Sequence, residues 1–334
     1  MCNLFRFAFA LIIQGSFLKF TEAFSVEFEP ISPFSFELTM RKPAGWWWSI
    51  PDEICENNTF WTAARFNLEL IGLRLRSLGN IQKPKIGCTV FSKSALDASQ
   101  RSGIIAMLKR ALKTEEDLAD FYHLAEKDSI LSGTVKDLYG MHTVGWPELF
   151  PALILAVTLQ MAPMKRSNQM MEALIENFGD QATFEGKTMR YWPSTKTIVQ
   201  TSIRDLMAKA KLGYRAKNLK SIAKTLNKGF PNLEQLSVMA PEDANKAIRT
   251  LCGIGEYSAE LVMPRMGFPL DVWSSKIFSV LFCGKNPDNP RDVIPELKEQ
   301  AEKRWGQWRG HAFVYILNDL PQLSTRFNVD FTKF

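Results

Sequence analysis

Asp271 stands in an apolar setting, between Pro269-Leu270 and Val272-Trp273, 18 residues after the first glycine of Gly253-Ile254-Gly255. A carboxylate there has two readings. It caps the helix that begins near Trp273, because Asp accepts hydrogen bonds from the first free amides of a helix. Alternatively it is the acid of a cleft, orienting or deprotonating a water and stabilising positive charge on a substrate. The two are compatible, since a cap position lies at the edge of a cleft. Gly253 and Gly255 allow positive φ and close backbone approach. The amides of such a turn, with the N-terminal end of the following helix, can point at a phosphate. Many helices simply end in glycine, so the triplet alone leaves phosphate binding and a plain αα-corner both open.

The charge distribution favours the first. Residues 151–225 carry twelve Lys/Arg against five Asp/Glu, whereas the whole 334-residue chain has a net charge of only +6. A basic patch on an otherwise neutral protein fits a polyanion such as nucleic acid; its plainer reading is a solvated helical surface. Apolar content of 46% and charge of 23% exclude a disordered chain. The five cysteines are odd in number, widely spaced and without a CxxC, which argues against a disulfide framework, zinc or an iron–sulfur cluster. His123, His142 and His311 are too scattered to suggest a transition-metal site.

These residues need elements to hold them. The expected fold class is α+β: a small antiparallel β-rich N-terminal domain over 25–112, then a helical body over 113–334. In the first, "FSFELTM" (34–40) and "RFNLEL" (65–70) alternate apolar and polar residues as half-buried strands do, and "IGCTVF" (86–91) is a third candidate. The three tryptophans of "KPAGWWWSIP" are expected to cover one sheet face. Beyond about residue 100 the periodicity is helical. "TEEDLADFYHLAEKD" puts Leu118, Phe121, Tyr122 and Ala125 on one stripe behind a cap-like Thr114. "WPELFPALILAVTLQMAP" is too apolar for a surface helix and reads as the buried centre of the body, broken at Pro163. Further helices are expected near 201–211, 215–227, 241–251, 256–266, 273–283, 291–304 and 308–319. Residues 1–24 form an N-terminal extension of open role; the apolar run Phe7–Ile13 has signal-peptide proportions but lacks a small-x-small cleavage site. The expected location is intracellular, with a targeting peptide left open.

Gly253-Ile254-Gly255-x-Tyr257-Ser258-Ala259 followed by Pro269-Leu270-Asp271-Val272 resembles the helix-hairpin-helix DNA glycosylase superfamily, whose motif ends in a catalytic Asp. "LGYRAKNL" (212–219) is similar to the segment before the hairpin in alkylpurine and oxoguanine glycosylases. "YWPS" (191–194) resembles their Phe-Pro-Thr-Pro segment, and "RWGQWRGHAFVYI" (304–316) a tryptophan-rich helix of 3-methyladenine glycosylases of type II. The Gly-to-Asp spacing is a few residues shorter than in many members. Gapless counting reaches Ser274 to Lys276, none a carboxylate, whereas the local match to Pro-Val-Asp-Val-His selects Asp271.

The resemblance implies a base-excision-repair enzyme acting on duplex DNA with a damaged base, most simply an alkylated purine; oxidised guanine, or a DNA-binding paralogue without catalysis, are the alternatives. Asp271 is then the catalytic residue, and Tyr257 replaces the lysine with which bifunctional members form a Schiff base, so hydrolysis without strand cleavage is expected. Tyr257, Trp192, Trp273 and Trp308 are base-pocket candidates, each with simple packing as its alternative. Gln160 and Met161 match the wedge that fills the gap left by a flipped base. Gly253, Ile254, Gly255, Lys165, Arg166, Arg215 and Lys217 are the expected phosphate contacts. A monomer without membrane contact is expected. No cofactor is expected to be required, no iron–sulfur cluster or other metal is expected, and the 251–255 turn is a candidate site for a monovalent cation.

Overall fold

A computed structural model of the protein describes residues 19–41, 50–263 and 267–334. The apolar run 7–13 and the three tryptophans at 46–48 lie outside the described residues. Five antiparallel strands form a sheet in the order β1-β5-β4-β3-β2: β1 (Thr21–Phe28), β2 (Ile54–Glu56), β3 (Thr59–Phe66), β4 (Glu69–Ser77) and β5 (Ile86–Ser92). The sheet thus begins inside the stretch set apart as an extension. Helix α1 (Phe36–Arg41) follows β1, and α2 (Ala98–Leu112) covers the sheet, packing Ile104, Met107 and Leu108 against Leu73, Leu75 and Val90. Asp97 and Gln100 close a capping box that starts α2 where the sheet ends.

Two expected strands are corrected. Most of 34–40 lies in helix α1, which begins at Phe36, because Phe36 and Met40, read as alternating, are also one helical turn apart and are buried together. Residues 65–70 do not form one strand. β3 ends at Phe66, and Asn67 and Leu68 turn back with φ of 48° and 68°. Phe66 then pairs with Glu69. Two consecutive positive φ values are the mark of a tight hairpin, and a leucine in such a turn disguised it as strand. "IGCTVF" lies in β5, as expected.

The body runs through α3 (Ala119–Glu126), α4 (Leu131–Asp137), α5 (Leu149–Leu159), α6 (Met164–Phe178), strands β6 (Asp180–Phe184) and β7 (Lys187–Tyr191), α7 (Thr195–Gln200), α8 (Ile203–Lys209), α9 (Arg215–Leu226), α10 (Leu233–Val238), α11 (Pro241–Arg249), α12 (Glu256–Val262), α13 (Val272–Cys283), α14 (Ile294–Trp305), α15 (Arg309–Asn318) and α16 (Leu320–Phe327). Thr114 caps nothing: its N–H closes the end of α2 on the Lys109 carbonyl, and α3 starts after Leu118. α5 is buried at every position from Leu149 to Thr158, so it is the axis of the body, as its composition required. Around it gather Phe184, Leu219, Ile222, Ala259 and Val262. A second core joins α3, α4 and the C-terminal helices around Phe268, Phe278, Trp305 and Phe313. Each fully buried side chain of this size contributes roughly 1.5–3 kcal/mol.

The β6–β7 hairpin belongs to the body yet reaches the sheet, its Phe184 stacking on Phe91 at 4.8 Å. Buried Arg65 of β3 bolts the two regions together, donating to Glu148, to Asp180 and, at 2.9 Å, to the Trp192 carbonyl.

Candidate active site

The two cores set the position of the site. α12 sends Ala259 and Val262 into the core around α5, whereas α13 sends Ile277 and Phe278 into the C-terminal core. Tyr257 on α12 and Asp271 at the start of α13 therefore meet where the two cores adjoin. Burial, and next the charge of Asp271, push the Tyr257 hydroxyl far above its ordinary pKa. Asp271 is the N-cap of α13. Its Oδ1 accepts the Ser274 N–H and the Ser274 hydroxyl, each at 2.7 Å, while the Ser274 Oγ accepts the Asp271 N–H at 2.9 Å. Among the described residues no hydrogen bond reaches Oδ2. The cap reading of Asp271 is thus observed, and it engages one of the two carboxylate oxygens.

The hairpin forms because α11 and α12 bury Ile248, Leu251 and Ile254 against the core around α5. Gly253 adopts φ of 77°, and a Cβ there would fall 2.3 Å from Asn218 Nδ2, so conformation and space both demand glycine. Gly255 differs from expectation: its φ is −94°, an ordinary extended value, and the space beside it is open. It opens α12, whose first amides have no partner within the helix. Ile254 is buried and its N–H is bonded to the Leu251 carbonyl at 3.1 Å. It anchors the turn, and neither its side chain nor its amide is free for a phosphate.

Gln160 ends α5 and ties itself to the hairpin. Its Nε2 donates to the Gly253 carbonyl at 2.8 Å and to Ser258 Oγ at 3.2 Å. Its amide nitrogen is thus committed to the hairpin. Met161 then projects with φ of 47° and 81% exposure, an apolar side chain fully offered to solvent beside the hairpin. Arg215 is also placed differently from a surface phosphate contact. It is buried, donates to the Gln160 carbonyl and lies 4.6 Å from the centre of the exposed Tyr214 ring, so it supports the wedge loop. Arg166 is half-buried and donates to the Lys211 carbonyl at 2.8 Å, bracing the same region. Lys165 and Lys217 are exposed, as phosphate contacts must be.

A cavity of about 230 Å³ lies between the sheet and the body, walled by Thr39, Phe60, Trp146, Tyr191, Leu261 and Val314 among others. A cavity of about 150 Å³ already holds benzene, so this volume is on the scale of a bicyclic base. Leu261 is one helical turn from Tyr257, which brings α12 to the cavity wall. Of the four aromatic pocket candidates Trp192 alone lines the cavity, and it is 1% exposed. Trp308 is committed to packing on Phe121 and His311, at 5.6 and 5.0 Å. Trp273 packs half-buried on the C-terminal core. The sheet-side walls and Trp146 had no signal in the sequence, because they converge from segments far apart in the chain. Among the described residues no group of three or more His, Cys, Asp or Glu could hold a metal ion. No described helix is long and apolar enough to cross a membrane.

No protein-family model matches the chain. It is similar to the DNA-3-methyladenine glycosylase of Bacillus subtilis, 26% identical over 226 residues that cover 65% of this chain and 72% of that protein. A probable N-glycosylase/DNA lyase of Methanothermobacter thermautotrophicus is 23% identical over 225 residues, covering 60% and 70%. In fold, the 3-methyladenine DNA glycosylase of Archaeoglobus fulgidus superposes with a TM-score of 0.68 at 18% identity, over 90% of this chain and 98% of that one. The 8-oxoguanine glycosylase/lyase of Clostridium acetobutylicum, solved with duplex DNA, gives 0.65 at 14% identity, over 91% and 97%. Hairpin, capped Asp271, sheet and relatives make the chain similar to the helix-hairpin-helix DNA glycosylases. The relatives are named as DNA glycosylases or glycosylase/lyases.

Proposed function

We propose that the protein flips an alkylated purine out of duplex DNA and hydrolyses its N-glycosidic bond with Asp271, leaving the strand uncut. The observation that carries this reading is the pairing of Asp271 with Tyr257 across the meeting of the two cores. The position where the bifunctional members' motif carries lysine holds Tyr257 here, and a side chain without an amine forms no Schiff base. Water is then the nucleophile. As the glycosidic bond lengthens, the deoxyribose becomes cationic, and the free oxygen of Asp271 stabilises that charge and orients the water.

The remaining parts serve extrusion. Gly253 and Gly255 bring backbone amides to a phosphate beside the lesion, Lys165 and Lys217 add salt-dependent contacts, and Met161 enters the stack in place of the base. The base is received by the largely apolar cavity reached along α12, which suits a methylated ring better than one read through many hydrogen bonds. The 251–255 turn offers carbonyl oxygens, the fitting donors for a monovalent cation, and no chemical step depends on one. The protein is proposed to act as a monomer.

A second reading, oxidised guanine as substrate, is favoured by "LGYRAK" and "PLDV" and by the fold likeness to an 8-oxoguanine glycosylase/lyase. The two are separated by a panel of duplexes that each carry one lesion, with the freed base identified by mass. Release of 3-methyladenine or 7-methylguanine supports the first; release of 8-oxoguanine alone overturns it.

A further inference from the structure

We propose that Glu260, held by Lys298, is the positioning residue for Asp271. Its carboxylate fixes the connection that runs from the hairpin helix to the start of α13. The proposal rests on the reading of Asp271 as the working acid.

Glu260 is 7% exposed, an unusual place for a carboxylate. Lys298 of α14 reaches it with Nζ 3.0 Å from Oε1 and 2.9 Å from Oε2, and spends a third bond on Glu256 Oε1 at 2.7 Å. Gly267 packs directly on the Glu260 side chain: a Cβ there would fall 2.3 Å from Glu260 Cγ and 2.5 Å from Oε1. The Phe268 carbonyl in turn accepts the Leu270 N–H at 2.8 Å, and Asp271 follows as the cap of α13. Glu260 on α12 thus packs against Gly267, and the bond between Phe268 and Leu270 carries that segment on to the residue before Asp271.

Burial pushes the Glu260 carboxyl up in pKa while Lys298 pulls it back, so the pair sits where charge is costly. A well-packed apolar pair would fill the same space at no loss of stability. The charged pair ties α14 to the Glu260 side chain on which Gly267 packs, four residues ahead of Asp271. Tyr257, one turn before Glu260 on α12, lies near enough to Asp271 for the carboxylate's charge to act on its phenol. One helix thus places both the tyrosine that stands for the lysine and, through Glu260, the carboxylate itself.

The experiment compares the full chain with Glu260→Gln, Lys298→Met and the conservative Lys298→Arg. Four quantities are read: single-turnover base release, affinity for a duplex with a stable abasic analogue, thermal midpoint, and hydrogen exchange of residues 267–274. A displaced acid costs release roughly 10- to 100-fold, so Glu260→Gln and Lys298→Met should lose that much while duplex affinity stays level. Exchange should quicken at 267–274 and stay level at 251–255, and Lys298→Arg should keep the parental rate. Unchanged release, or release, affinity and midpoint falling together, overturns the proposal. Unchanged exchange at 267–274 overturns it independently of activity. If the parent frees no base from any lesion duplex, the functional reading falls, and the exchange data still decide whether Glu260 holds this segment.

Discussion

Tyr257 and Asp271, 14 positions apart in sequence, act on each other: burial, and next the carboxylate at the head of α13, raises the pKa of the phenol on α12. The relationship defines the chemistry, because it sets a non-nucleophilic side chain beside the acid.

Asp271→Asn should lower base release by about 10²–10³-fold, the usual cost of losing one group aimed at transition-state charge. Asn caps a helix about as well as Asp, so the thermal midpoint should hold. A matching drop in midpoint would assign Asp271 to the cap alone.

Borohydride reduction during turnover traps a Schiff base where one forms. The parent should give no covalent protein–DNA adduct, and Tyr257→Phe should give none either. An adduct from the parent would show that some other amine attacks the sugar.

Met161→Ala should slow extrusion, read by the fluorescence of 2-aminopurine placed beside the lesion, and leave undamaged-duplex affinity unchanged. The side chain is 81% exposed, so its truncation costs little stability. Equal losses in both assays would count against a wedge.

The basic residues should divide into two groups. Lys165→Ala and Lys217→Ala should each reduce the slope of log affinity against log salt by about one. Arg215→Ala should leave that slope alone and lower the midpoint, because its guanidinium is buried on the Gln160 carbonyl.

Glu116 should govern acid stability. Burial pushes its carboxyl up, but the imidazoles of His142 and His311, whose ring nitrogens lie 3.3 and 3.2 Å from its oxygens, with Lys113, outweigh that and hold it well below its usual range. A lowered folded pKa means stability that is full above the ordinary value of 4.5 and is lost as pH falls below it. Glu116→Gln should therefore be less stable at neutral pH and should show a flatter loss from pH 5 downward. Parallel acid limbs for the two proteins would remove Glu116 from that role.

Several local features were legible in the sequence. The apolar run of α5, the Gly253 turn, Tyr257 and the capped Asp271 are local patterns, governed by periodicity, by the φ that only glycine takes easily, and by the need of a helix for a cap. Residues 34–40 misled because four apolar side chains at alternate positions also serve a short helix, and only packing beneath the sheet decides between them. Leu68 misled because a leucine in a tight turn carries no turn signal. Charge at Arg215 and an amide at Gln160 name what a side chain can bond, and the fold decided that both bond inward. The cavity, the Arg65 bolt and the Glu260–Lys298 pair were beyond reach of the sequence. Each joins segments separated by tens of residues, and their meeting depends on how two cores close around α5. What the chain determined alone is the chemistry its residues can do; tertiary structure decided which of them face DNA, because burial and hydrogen-bond satisfaction are properties of neighbours in space.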